Sequence, residues 1–358
     1  MNAAAPRGIR RQGKSGVVAR LVAGGSLLTL LLIASSLVSM TLGPVNIPIR
    51  QVASIVLAPT GLEIAPYSRT EELVVEQLRL PRIVVGGLVG LALGVAGATM
   101  QGLFRNPMAD PGIIGVSAGG AVGAVLSIAL GLSSLFFLAL PLFAFAGAMG
   151  AAFLVYGISL VGGRFSMPTL LLAGVAVSAF LSAIISAVLV LLPSNESLRE
   201  ILFWLVGGLD SRSWEHVRLS APFILGGSGL IIVLARDLNL LMLGDDEARS
   251  MGIPVGALRP LLIAAASLVT GVAVAVSGTI AFVGLVVPHM LRLVFGPDHR
   301  VLVPASGLGG ALFMVVADTL ARTVIQPAEM RVGIITAFVG APFFIFLLIR
   351  NKNRIQAF

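Results

Sequence analysis

The stretch LMLGDDEARSMGIPV (Leu241–Val255) sets three consecutive acids, Asp245, Asp246 and Glu247, between two apolar runs of membrane-crossing length. Charged residues make up 11% of the chain, so the cluster is out of character with its surroundings. Asp245 or Asp246 can cap a short helix, and acids in a first turn suit the positive end of the helix dipole. Gly252 fits the position just past a helix end, and Pro254 blocks continuation. The stretch therefore predicts one to two helical turns, from about Glu247 to Met251. Ala248, Met251 and Ile253 would give this element a small apolar face beside the acids and Arg249. Two readings stay open on these residues alone: an ordinary solvated loop, or a rigid knob held for a partner.

Working outward, the chain has 358 residues, 57% of them hydrophobic. The mean hydropathy of +1.02 is beyond what a soluble domain tolerates. A hydrocarbon layer about 30 Å thick needs roughly 20 apolar residues per helix. Ten segments qualify: 19–42, 82–104, 112–131, 135–161, 168–193, 217–236, 257–276, 280–295, 303–323 and 331–349. The eighth is short and interrupted by Pro288. The expectation is an all-α integral membrane protein of about ten transmembrane helices.

Charge orients the array. Arg7, Arg10, Arg11, Lys14 and Arg20 precede the first span, and Arg350, Lys352 and Arg354 follow the last. Neither tail carries an acid, so these residues account for the net charge of +8. The positive-inside rule places both tails, 1–18 and 350–358, in the cytoplasm, which an even number of spans requires. Arg105, Arg164, Arg236, Arg249 and Arg300 then fall in or beside inner connectors, and the stretch 237–256 is cytoplasmic. The outer loop 43–81 also carries basic residues, against the rule. Arg10-Arg11 could open a twin-arginine signal, but Leu21–Leu42 is long for a cleaved segment and reads as an uncleaved first helix. No basic patch is interleaved with aromatics, so the charge does not indicate nucleic acid.

Two further features belong to the helix array. Outer residues 197–209 (SLREILFWLVGGL) are apolar but too short to span, which predicts a helix lying in the interface or plugging a cavity, with Trp204 at headgroup level. Gly86, Gly90 and Gly94, and then Gly115, Gly119 and Gly123, recur every fourth residue. Small residues at that spacing let helices approach closely in lipid; a pathway wall or subunit interface is the other reading. VAGATM (95–100) with SAGGAV (117–122) is faintly echoed by VSGTIA (276–281) with SGLGGAL (306–312). The blocks begin five spans apart, so this weak repeat would be inverted, as in many transporters, unless it is chance likeness in Gly/Ala-rich sequence.

Several chemistries are excluded or poorly supported. No cysteine is present, which removes disulfides and thiolate chemistry. No G-x-x-x-x-G-K-[ST] occurs, so the chain has no P-loop of its own, and no H-E-x-x-H occurs. Gly115–Gly119 matches G-x-S-x-G around Ser117, but a serine protease needs a base in reach and His289 is the sole membrane-embedded candidate. An ion-coupled transporter places acids in its helices. Here Asp318 stands alone well inside a span, with Arg322 one turn on to neutralise it.

The chain resembles the FecCD or BtuC-like permease subunits of bacterial ABC importers for iron-siderophores, haem and cobalamin. The likeness runs from about Arg79 to the C-terminus. It is carried by LRLPR (78–82), MQGLFRNPMADPGIIGVSAGG (100–120), LLLAGVA (170–176), FWLVGGL (203–209) and LGDDEARSMGIP (243–254). SGTIAFVGLVVPHMLRLVFGPDHRVLVPASGLGGALFMVVADTLAR (277–322) and GIITAFVGAPFFIFLL (333–348) complete it.

The resemblance implies a ten-helix, type II importer fold that pairs with a second permease copy or a paralogue around a central pathway. It implies two separate ATPase subunits, which carry the ATP and magnesium; this chain would hold no cofactor, no metal and no catalytic residue. Leu243, Gly244, Asp245, Asp246, Glu247, Ala248, Arg249, Met251 and Gly252 look like the coupling element that sits in a cleft of the ATPase. Arg79, Arg82 and Arg322 match positions that pair with acids of a periplasmic or surface binding protein, for which guanidinium forks are suited. A snorkelling helix-end residue is the plainer reading of Arg82. Asn106, Pro107 and Met108, with Ser166, Met167 and Pro168, match the two turns of the cytoplasmic gate. The second turn departs from the small polar pair of the cobalamin permease, and VGGLDSRSW (206–214) resembles siderophore permeases. The substrate expected is thus an iron chelate, with a ferric siderophore ahead of haem and cobalamin.

Overall fold

The computed structural model describes residues 14–350 apart from 63, 162–164 and 193; for residues 14–19, 348 and 350 it describes the backbone alone. Arg164 and most basic residues of both tails lie outside the described residues. Fifteen α-helices are described: α1 (Lys14–Thr41), α2 (Ile49–Leu57), α3 (Arg69–Leu73), α4 (Leu80–Leu103), α5 (Val116–Ala129), α6 (Ala139–Ser159), α7 (Met167–Leu191), α8 (Asn195–Val206), α9 (Trp214–Val233), α10 (Ala235–Leu241), α11 (Asp245–Ser250), α12 (Val255–Ser277), α13 (Val283–Phe295), α14 (His299–Thr323) and α15 (Val332–Arg350).

Each of the ten apolar segments holds one helix: α1, α4, α5, α6, α7, α9, α12, α13, α14 and α15. Among the described residues, seven are long and apolar enough to cross a membrane, while α5, α13 and α15 form shorter apolar helices. α13 has 13 residues with Pro288 inside it, a rise of about 20 Å that falls short of a hydrocarbon layer.

α4 is apolar all round and buried along most of its length, which places it in the middle of the bundle. It packs against α14, α12, α9 and α13. Lipid offers no hydrophobic drive for this association, so close backbone contact has to supply it. A Cβ on Gly90 would lie 2.1 Å from the Gly310 carbonyl oxygen, and one on Gly94 would lie 2.0 Å from that of Ser306. Gly119 and Gly123 meet α6 in the same way, at Gly147 and Phe143. These glycines serve packing within the chain. Gly94→Leu is therefore expected to force α4 from α14 and lower the thermal midpoint of the purified chain, whereas Gly87→Leu, where a Cβ meets nothing within 4 Å, is expected to leave it unchanged.

One expectation is corrected. The chain before residue 82 is already helical. Ser68 and Glu71 form a capping box that starts α3, a π-helical segment (Val74–Arg79) joins α3 to α4, and one apolar helix runs from Arg69 to Leu103. Arg79 and Arg82 thus lie within a helix, not at its end. Trp204 packs into the bundle and is 8% exposed. α8 turns Ile201 and Trp204 inward against Ala121, Ala124, Val274 and Ala275, and leaves Leu202, Phe203 and Val206 exposed. The two echoing blocks place their second motifs differently: SAGGAV begins the helix after α4, while SGLGGAL lies in α14 with α13 intervening.

Candidate functional site

The residues matched to functional positions lie at the two ends of the bundle. At the end shared by the N-terminus of α1 and the C-terminus of α15, the acidic stretch forms α11 (Asp245–Ser250). The cap is Gly244, at φ 142°, not an aspartate. Asp245 is free of capping because Arg259 of α12 takes its carboxylate, Nη1 donating to Oδ2 at 3.0 Å and Nη2 to Oδ1 at 2.5 Å. Arg105 adds a cation 3.9 Å away. The Arg259 hydrogen bonds hold the Asp245 carboxyl below its ordinary range against the opposing effect of burial. Ala248 is fully buried and accepts from the Ile253 amide, and Gly252 turns the chain at φ 84°. The outward surface consists of Leu243, Asp246, Glu247, Arg249 and Met251, with the Asp246 side chain 92% exposed. The expected apolar patch is thus corrected: Ala248 is its foot, and Leu243 and Met251 are its exposed members.

The foot is braced further. Arg105, itself at φ 49°, donates to the Leu241 carbonyl at 3.1 Å, tying the end of α4 to α10. Asn239 of α10 donates to Asp298 at 2.8 Å and accepts from the His299 amide at 2.9 Å. Arg259 also lies over the Phe165 ring, 5.2 Å from its centroid. Any movement of α11 is thereby linked to α4, α12 and α14.

The two turns matched to a gate sit at this end but apart. In the first, Asn106 and Pro107 are exposed, and Asn106 Oδ1 accepts from the Met108 amide at 2.9 Å. Pro107 and Met108 face Leu285, His289, Phe343 and Leu347 of α13 and α15. In the second, Ser166 caps α7, accepting from the Thr169 amide at 3.3 Å, with Met167 half-buried and Pro168 exposed. No hydrogen bond joins the two turns among the described residues. Ser117 lies beside Gly112 and Asp110 at the start of α5, whereas His289 lies beside Pro107 and Met108. No Ser117–His289 hydrogen bond is present among the described residues, so the structure assembles no nucleophile–base pair there.

At the opposite end Arg79, Arg82 and Arg322 are all buried. Arg79 donates to the carbonyls of Met40 and Val45. Arg82 grips Asp318 in a fork, Nε to Oδ2 at 3.0 Å and Nη2 to Oδ1 at 2.9 Å, and reaches Glu329 at 2.7 Å through Nη1. Arg322 lies 3.3 Å from Asp318, as its spacing on the helix predicted, and donates to Ser39 Oγ at 2.5 Å. Asp210 pairs with Arg331 and stands 3.6 Å from Arg82. The three arginines therefore hold neighbouring turns of their own chain. Arg82 is itself buried and forks onto the buried Asp318, while its Nη1 reaches the exposed Glu329. Arg259, Glu329, Asp210 and Arg331 were missed in the sequence; each is an isolated charge whose partner lies on another element. Among the described residues no group of three His, Cys, Asp or Glu side chains is placed to hold a metal ion.

Comparison with known proteins places this arrangement. A cobalamin import system permease, BtuC, of Halobacterium salinarum is 42% identical over 92% of this chain and 96% of its own. The hemin transport system permease HmuU of Yersinia pestis is 41% identical over 77% of this chain and 83% of its own. A metal-chelate type ABC transporter solved in an inward-facing conformation superposes with a TM-score of 0.80 at 32% identity, over 90% of this chain and 97% of that one. The profile of the FecCD transport family matches residues 30–350, taking in the braced acidic helix, both exposed turns and the buried arginine cluster, and the chain belongs to that family.

Proposed function

We propose that this chain, a multi-pass membrane permease of the ABC importer class, carries a ferric siderophore into the cytoplasm, with both termini and α11 on the cytoplasmic side of a bacterial inner membrane. The reading is carried by α11 itself: an exposed, charged helix whose foot is fixed by Asp245–Arg259 and by buried Ala248. Such a knob suits a partner that delivers force, and the chain has no P-loop to supply that force itself. Two ABC ATPase subunits would receive α11 and a second copy's equivalent, and ATP hydrolysis belongs to them. A second copy or paralogue would cover α7, most of whose surface is exposed, including Val175, Phe180, Ser182, Ser186 and Val190. Asn106–Met108 and Ser166–Pro168 would form the gate once two copies meet. The binding protein would dock on the opposite end, where Arg79, Arg82 and Arg322 keep the surface turns in shape.

The test is uptake of radiolabelled iron from a panel of ferric siderophores in cells lacking the gene and in complemented cells. Loss for one siderophore, restored by the gene, is the expected result. Undiminished uptake across the panel, with loss of labelled cobalamin or haem uptake, would replace the siderophore by that ligand. Cobalamin is the favoured second reading because a relative of that name aligns over nearly the whole chain.

A further inference from the structure

A cavity of about 320 Å³ opens at the end of the bundle opposite α11, lined by Leu140, Glu200, Phe203, Trp204, Gly208, Asp210, Ser211, Arg212, Ser277 and Arg331. Its size is that of a small-ligand pocket. Two of its polar groups lack partners. Trp204 is 8% exposed, and its indole N–H has no hydrogen-bond acceptor among the described residues. The Arg212 Nε–H is likewise buried and unpaired. Burial of such donors without acceptors is costly, and each calls for an acceptor from outside the chain.

The charges around the cavity state what kind of ligand that is. Asp210 is taken by Arg331, which also lies 4.6 Å above the Phe203 ring. Arg212 has no carboxylate within ion-pair distance among the described residues. Its Nη1 lies 3.1 Å from His216 Nε2. Burial lowers the Arg212 pKa to about 10 in spite of Asp210, and Arg331 and Arg82 lower it too. Ser277 Oγ is already spent on the Ala273 carbonyl at 2.8 Å. Glu200, the lining acid without a cation, is exposed at the rim, where water screens it. Indole and guanidinium are donors with no acceptor capacity. The free valences of the cavity are thus donors beside an unneutralised cation.

We propose that this cavity is a binding site for a carboxylate group of a small ligand, received by the Trp204 indole N–H and the Arg212 guanidinium. Under the importer reading it faces the compartment from which substrate arrives, and it would hold a carboxylate-bearing chelate for a moment before the pathway. Weak binding is what such a station requires, since a ligand held tightly does not move on.

The chain contains two tryptophans, so Trp214→Phe leaves Trp204 as the sole indole reporter. The full chain with that substitution, in detergent, is titrated with citrate while Trp204 emission is followed. Chloride at matched ionic strength and inorganic phosphate form the parallel arms. The expected result is a saturable citrate-dependent change, absent with chloride and weakened on the order of tenfold or more by Arg212→Gln. A response to phosphate equal to that to citrate would widen the ligand to oxyanions in general and overturn the carboxylate assignment. No saturable change, a chloride response of equal size, or an undiminished response in Arg212→Gln would overturn the site. Should Arg212→Gln fail to fold, Trp204→Phe replaces it, read as loss of the citrate-dependent rise in thermal midpoint. The binding readout needs no transport, so failure of the importer reading and failure of this site are separate results.

Discussion

Asp318→Asn will destabilise the folded chain by about 3–5 kcal/mol, the usual cost of removing one partner from a buried ion pair. Asp318 is 2% exposed and answers two guanidinium groups, Arg82 through a fork and Arg322 at 3.3 Å. Asparagine keeps the shape and removes the charge. Arg82 would retain Glu329, but Arg322 would keep only Ser39 and the Leu42 carbonyl. The measurement is the denaturation midpoint of the purified chain. The second substitution Arg322→Met, added to Asp318→Asn, is expected to recover part of the loss, because it removes the cation left unpaired. A wild-type midpoint for Asp318→Asn would show that the cluster does not carry stability and would return these arginines to surface recognition. The same geometry warns against charge reversal as a docking test. Arg82→Glu would set a third acid beside Asp318 and Glu329 and unfold the region before any partner is consulted. Arg82→Lys, which keeps the charge and loses the fork, is the informative variant; it is expected to lower the midpoint less than Asp318→Asn does, and loss of binding-protein stimulation of the ATPase in the folded variant is the outcome expected if this end docks the binding protein.

Asp245→Lys is expected to reduce uptake by tenfold or more while the assembled ATPase keeps its basal hydrolysis. Lysine at this place would face Arg259 and Arg105 together, so the foot of α11 would lose its hold on α12 and on the end of α4. The exchange Asp245→Arg with Arg259→Asp is expected to restore part of the uptake, since the pair is re-formed in reverse. Uptake unaltered by Asp245→Lys would refute the anchor. Asp246→Lys and Glu247→Lys act differently, because both acids face solvent. They are expected to weaken attachment of the ATPase, read as co-purification, and to leave the chain's own stability unchanged. The pH dependence follows from the sign of the shift. Asp245 is held below its ordinary value by Arg259, so its contribution is fully present above the unfolded carboxyl pKa, about 3.9, and is lost as pH falls through the lower folded value. Uptake between pH 5 and 8 is therefore expected to show no inflection from this pair.

Much of this was legible along the chain. Apolar runs of membrane length announced the helices, since in lipid a backbone has to satisfy itself within its own segment. Gly252 and Pro254 bounded the acidic helix, and Asp318 with Arg322 declared a pair by spacing alone. Other features were less legible, for a common reason. Ser68 and Glu71 begin a helix well before the apolar run, so a hydropathy reading starts it too late. Trp204 is amphipathic, and its side of α8 is settled by what α5, α6 and α12 place beside it.

The sequence by itself determined the membrane class, the positions of ten apolar helices, the acidic element and the family likeness, because each rests on neighbours within a few turns. The tertiary structure alone decided what each charge does. Arg82 meets Asp318 across 236 positions and Glu329 across 247, and Asp245 turns to Arg259 across 14. Arginines matched to docking positions also tie neighbouring turns of their own chain, and an aspartate read as a cap became an anchor. A charge in a low-dielectric bundle goes to the counter-charge that packing brings nearest, and the order of residues along the chain does not state which that is.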